Sequence, residues 1–103
     1  VQVLRITGDL DLTTVDDLRA AVLHRIDGAD QPRTDVDLTG LSYLSSSGIA
    51  LLLEAATAAS RNGRSLTVLA GEGSTPARIL ELSGLSGVST GRDLVVRTVA
   101  PER

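Results

Sequence analysis

Three consecutive hydroxyls, Ser45, Ser46 and Ser47, stand immediately before Gly48 and an apolar run. The surrounding stretch reads Val36-Asp37-Leu38-Thr39-Gly40-Leu41-Ser42-Tyr43-Leu44-Ser45-Ser46-Ser47-Gly48-Ile49, which is a strand, a surface turn and then a helix start. One hydroxyl at such a place is explained as an N-cap, because its oxygen accepts a backbone N–H that the helix leaves unpaired. Serines favour helix starts for that reason alone, yet three in a row exceed what capping requires. The chemistry open to the surplus is phosphorylation. A phosphate brings about −1.5 to −2 charges near neutral pH. At a helix N-terminus it meets free N–H groups and the positive end of the dipole, worth roughly 0.3–1 kcal/mol. The free domain therefore tolerates it, whereas an unmatched charge forced into an interface costs about 2–5 kcal/mol. A penalty near ~2.7 kcal/mol is already a hundredfold in affinity.

Other chemistries lack their residues. There is no Cys, hence no disulfide framework, thiolate metal site or thiol nucleophile. There is one His, His24, too few for a multi-histidine metal site. All ten basic residues are Arg, so Walker A loops, Schiff bases and Ser-x-x-Lys hydrolases are excluded. A Ser–His–Asp triad would need His24 to reach Ser46, and there is no Gly-x-Ser-x-Gly elbow. Gly71-Glu72-Gly73 begins like a dinucleotide fingerprint, but Pro76 holds the third glycine position. Asp35 and Asp37 share a strand face; the alternation predicts them to face solvent. The residues thus point to a protein that is not an enzyme, with no cofactor and no metal.

The elements that must position the serines follow from periodicity. The chain has 103 residues, 42% hydrophobic and 22% charged, which fits one globular domain spanning 1–103 with an aliphatic core. Val1 to Ile6 suits a strand, broken by Gly8-Asp9-Leu10-Asp11. Thr13 and Thr14 are N-cap candidates for a helix over about 14–26, with Asp16 and Asp17 in its first turn and Val15, Leu18, Val22 and Ile26 on its apolar stripe. Gly28 ends it, Gln31 to Thr34 is loop, and a short strand follows around Val36 and Leu38. Thr39 to Leu44 is predicted as a turn. The helix after the serines buries Ile49, Leu52, Leu53 and Ala56, widened by Leu51 and Ala55, and ends at Asn62-Gly63. Ser65 to Ala70 is a strand. Thr75 caps a short helix with Pro76 at its first position, closed by Gly84. Leu94 to Val99 is the last strand. This alternation predicts an α/β fold: a mostly parallel or mixed sheet of four to five strands with helices mainly on one face.

Net charge is −3 with scattered arginines and one aromatic, Tyr43, which argues against nucleic-acid binding. No apolar run approaches the ~20 residues that span a bilayer, and no basic-then-apolar signal opens the chain. The expectation is a cytoplasmic protein without membrane contact.

Three segments resemble the STAS domains, particularly bacterial anti-sigma factor antagonists. Asp37-Leu38-Thr39-Gly40 with Tyr43-Leu44 and Ser46-Ser47-Gly48 is similar to the family's signature. Thr7-Gly8-Asp9-Leu10-Asp11 resembles its Gly-Glu-Leu-Asp turn, and Leu80-Glu81-Leu82-Ser83-Gly84-Leu85 its later Leu-x-Leu-Thr/Ser-Gly-Leu segment. Their order and approximate spacing agree from about residue 3 to 88. The resemblance implies that Ser46 is the phosphoacceptor. Ser45 takes the place of the family's usual Asp, which leaves Ser45 and Ser47 as alternative acceptors. The family's first strand is short or absent here, and its final amphipathic helix lacks clear form after Val88.

The resemblance further implies a switch. The unphosphorylated domain would bind an anti-sigma factor that is also a serine kinase, freeing a sigma factor. Phosphorylation at Ser46 would block the complex, and a serine phosphatase would reset it. The partner-binding surface would comprise Asp9, Asp11, Ser45, Ser46, Ser47 and Gly48. The alternative within the same family is an assembly or regulatory subunit of a lipid or anion transporter.

Overall fold

The computed structural model describes residues 2–28, 30–82 and 94–100. Four strands make the main sheet: β1 (Gln2–Arg5), β3 (Arg33–Asp37), β5 (Ser65–Gly71) and β6 (Leu94–Val99), in the order β1-β3-β5-β6 and parallel throughout. Two short strands, β2 (Gly8–Leu10) and β4 (Leu41–Leu44), form a second parallel pair. Three helices connect them: α1 (Val15–Asp27), α2 (Ser46–Arg61) and α3 (Thr75–Leu82). The α/β architecture with a mostly parallel sheet is as expected from the alternation of elements.

Neither β2 nor β4 was anticipated, since both fall where Gly8 and Gly40 suggested turns. What makes them strands is non-local pairing. β1 runs on into β2 and β3 into β4, and the Ile6 and Gly8 amides bond the Asp37 and Gly40 carbonyls at 3.0 and 3.3 Å. The two segments stay side by side past the end of the main sheet. Strand β3 also begins earlier than expected, at Arg33, inside the segment assigned to loop.

One apolar core joins all three helices to the inner sheet face, through Leu10, Ile26, Val36, Leu44, Leu51, Leu52, Leu66, Val68 and Leu80. In α2 the buried stripe is Gly48, Leu51, Leu52, Ala55, Ala56 and Ala59, while Ile49 and Leu53 are half-buried at its edge. Burying a leucine of this kind is worth about 1.5–3 kcal/mol. On the opposite sheet face, Val3, Val95 and Val99 remain exposed.

Helix ends correct two capping assignments. Thr14 holds the N-cap position of α1, but its hydroxyl turns back into the preceding loop, donating to the Asp9 carbonyl at 3.0 Å and accepting the Asp11 N–H at 3.1 Å. Ser74, not Thr75, caps α3, its Oγ accepting the Ala77 N–H at 3.2 Å. The end of α2 is as expected. Gly63 adopts φ +68°, a left-handed conformation costly for residues with a Cβ. The Gly63 and Arg64 amides then satisfy the Ser60 and Ala59 carbonyls at 3.0 and 2.9 Å. The expected stop at Gly84, and Leu85 and Val88, lie outside the described residues.

Candidate functional site

Because β2 and β4 are parallel, their C-terminal ends lie together, and the β2–α1 turn and the start of α2 emerge side by side. Leu10 pairs with Leu44 in register, and both are buried. The next residue, Ser45, ties the two segments: its N–H donates to the Leu10 carbonyl at 2.9 Å. Its side chain then caps α2, Oγ accepting the Gly48 N–H at 3.2 Å, with extended backbone at φ −89° and ψ 173°.

The three serines therefore differ in role. Ser45 is half-buried and its hydroxyl oxygen is engaged as the cap. Ser46, the first residue of α2, is exposed, and Ser47 behind it is half-buried. Gly48 is buried where a side chain would not fit. A Cβ there would sit 2.6 Å from Leu44 Cδ1 and 2.9 Å from Leu10 Cγ. The missing side chain lets the helix start press onto β2 and β4, and so fixes the serine turn against the fold.

Of the other expected contact residues, Asp9 is exposed and stands opposite Tyr43 in the β2–β4 register, with Tyr43 itself exposed. Asp11 is half-buried and committed to its turn. Its Oδ1 accepts from the Thr13 N–H at 2.9 Å and the Thr13 hydroxyl at 2.6 Å. The Thr13 hydroxyl, foremost, and amide hold the Asp11 carboxyl below the ordinary carboxylate range. The structure thus brings Asp9, Asp11 and the serine turn to one end of the β2–β4 pair.

The same local device recurs on β3. Asp37 Oδ1 accepts from the Thr39 N–H at 2.9 Å and the Thr39 hydroxyl at 2.6 Å. Its Oδ2 meets Arg5 Nε across the β1–β3 register at 3.2 Å. The Thr39 hydroxyl, the Thr39 amide and then Arg5 lower the Asp37 pKa against the opposing effect of burial.

The expectation that Asp35 and Asp37 face solvent is wrong: both are buried, at 8% and 9% exposure. They lie on the sheet face away from the helices, but long arginine side chains lie beside them, so alternation alone misjudges their environment. Arg33 Nε approaches Asp35 Oδ1 to 2.9 Å as an ion pair, and its Nη2 donates to Asp35 Oδ2 at 3.4 Å. Each carboxylate has its own cation, which is a structural arrangement and not an acid–base pair. His24 is exposed near the end of α1, far along the helix from its N-terminal turn. Among the described residues no three His, Asp or Glu side chains converge as a metal site, and no helix is long and apolar enough to cross a membrane.

The family model described as "Mlab, STAS domain" matches residues 1–100. The chain belongs to the STAS domain family. Among solved structures it is similar to that of the anti-sigma factor antagonist SpoIIAA in its unphosphorylated form, with 25% sequence identity and a TM-score of 0.56. That match covers 65% of this chain and 61% of the other. A comparison with the curated proteins found no match.

Two apolar residues of this end of the fold, Leu12 and Tyr43, are exposed, which the sequence did not single out. A lone leucine in a turn and a lone tyrosine in a strand carry no signal until their exposure is known.

Proposed function

We propose that this domain is an anti-sigma factor antagonist, a non-enzymatic switch whose unphosphorylated form binds an anti-sigma factor acting also as a serine kinase. Phosphorylation of Ser46 by that kinase blocks binding, and a serine phosphatase restores it. The observation that carries this reading is the position of Ser46: exposed, at the first residue of an apolar helix, with Ser45 already providing the cap. The likeness to SpoIIAA, described as an anti-sigma factor antagonist, supports it.

The physical logic is asymmetric. On the free domain, the phosphate adds charge at a helix N-terminus whose dipole favours it by about 0.3–1 kcal/mol. Backbone and core need not respond. In a docked complex the same dianion must be desolvated or matched, at about 2–5 kcal/mol when it is neither. Binding is lost while the fold persists. Ser45 is the weaker acceptor, because modification would disturb its cap and its bond to β2. Ser47 is less accessible.

Incubation with the cognate kinase, ATP and Mg²⁺, followed by mass mapping, tests the reading. A single phosphate on Ser46 is expected; an unmodified serine turn counts against it.

A second reading is an assembly or regulatory subunit of a transporter. It draws on the description of the matching family model, which is not that of an antagonist, and on Ser45 in place of the family's usual Asp. Such a subunit would bind its partner equally well with Ser46→Asp and Ser46→Ala. An antagonist loses binding with the first and keeps it with the second.

A further inference from the structure

The tripeptide Asp-Leu-Thr occurs twice at the end of a strand, as Asp11-Leu12-Thr13 directly after β2 and Asp37-Leu38-Thr39 starting on the last residue of β3. Both form the same turn, with the aspartate Oδ1 taking the threonine amide at 2.9 Å and its hydroxyl at 2.6 Å. The central leucines have opposite fates. Leu38 is 1% exposed in the core, and Leu12 is 74% exposed. The turn itself demands no leucine, since it is built from the flanking aspartate and threonine. Tyr43, the only aromatic of the chain, is also 47% exposed.

The β2–β4 register places the backbone of these two residues near the serine turn. Leu10 and Leu44 are paired, and Leu12 and Ser46 each lie two residues beyond that pair, while Tyr43 lies one before it. Charge around them is one-sided. Residues 6–18 carry Asp9, Asp11, Asp16 and Asp17 and no cation, and residues 38–53 carry no charged side chain. Against a net −3 for the whole chain, these four carboxylates leave the remainder at +1.

We propose that Leu12 and Tyr43 are the two apolar anchors of the surface around Ser46, and that the partner is a protein presenting apolar pockets within a basic rim. This rests on the antagonist reading and specifies the partner chemistry of the same surface. An acidic rim selects a basic partner by steering its approach, and buried apolar anchors retain it. A second copy of this chain would set four carboxylates against four, and an anionic lipid surface would meet the same repulsion. Ser46 lies among the anchors, where the partner is apolar and its cations are already engaged by the rim. A phosphate there is desolvated without a matching charge, which is how binding to a basic partner is still lost.

The test uses the intact domain and the purified anti-sigma factor serine kinases of its source genome, with association and dissociation followed by surface plasmon resonance at low and high salt. Leu12→Ala and Tyr43→Ala should each speed dissociation about tenfold or more, with unchanged thermal unfolding because both side chains are exposed. Asp9→Asn should slow association and weaken its salt dependence, leaving dissociation nearly unaltered. Wild-type binding that both alanine variants retain in full would overturn the anchors while leaving the antagonist reading intact. Absence of binding to every kinase would overturn that reading together with the anchors. Concentration-dependent dimerisation abolished by Leu12→Ala, or binding to anionic phospholipid vesicles, would overturn the choice of partner.

Discussion

Gly48→Ala should destabilise the domain although it places a good helix former inside a helix. Alanine gains about 0.8–1 kcal/mol over glycine in a helix interior. Gly48 is not at positive φ, so its backbone conformation suits alanine. Space decides the outcome. The new methyl would sit 2.6 Å from Leu44 Cδ1 and 2.9 and 3.1 Å from Leu10 Cγ and Cδ2. Both leucines are 1% exposed or less, so neither can swing into solvent. Overpacking of this kind costs typically about 1–3 kcal/mol, and two buried contacts below 3 Å belong at the upper end. The net expectation is a loss of about 1–2 kcal/mol, or a fall of roughly 5–15 °C in Tm for a domain of this size. The cause is separable by a double-mutant cycle under chemical denaturation. Leu44→Ala alone should cost about 2–5 kcal/mol by opening a cavity. Adding Gly48→Ala to it should cost little or partly restore stability, because the methyl enters vacated space. Additive losses, or a Gly48→Ala variant more stable than wild type, would refute the close-packed account of how the serine turn is held.

Three further outcomes follow from the same geometry. Ser45→Ala should lower stability by about 1 kcal/mol through the lost cap, whereas Ser46→Ala should leave the denaturation midpoint within experimental error. For Asp37, the lowered folded-state pKa means that the unfolded chain binds the proton more tightly. Its contribution is therefore full above the ordinary value of 3.8 and is lost as pH falls through the lower folded value. Asp37→Asn should thus lower stability at neutral pH and flatten the acid limb of a stability–pH profile below that value. Leu52→Ala, in the centre of the core, should cost about 2–5 kcal/mol, and a smaller loss by urea denaturation would show that α2 packs less tightly than described.

The long elements were legible because their residues announce their own burial. The helical stripe of Val15, Val22 and Ile26 and the strand pattern of Leu66 and Val68 need no distant partner to be recognised. The serine turn was legible for a related reason, since capping is local chemistry. β2 and β4 were not. Gly8 and Gly40 read as turns, and what makes these three- and four-residue segments strands is contact across more than 30 residues of chain. The burial of Asp35 and Asp37 was misjudged because alternation sees one strand at a time, while Arg5 reaches Asp37 from the neighbouring strand. Leu38 was marked by its alternation with Val36, but the exposure of Leu12 was not legible: its tripeptide is identical, and the difference is which way the fold has core to offer.

The affinity of the isolated kinase for the domain phosphorylated stoichiometrically at Ser46, against the unmodified domain, bears most directly on the whole account. With circular dichroism showing the same fold for both, the phosphorylated form should bind at least a hundredfold more weakly. Equal affinity of the two forms would contradict it.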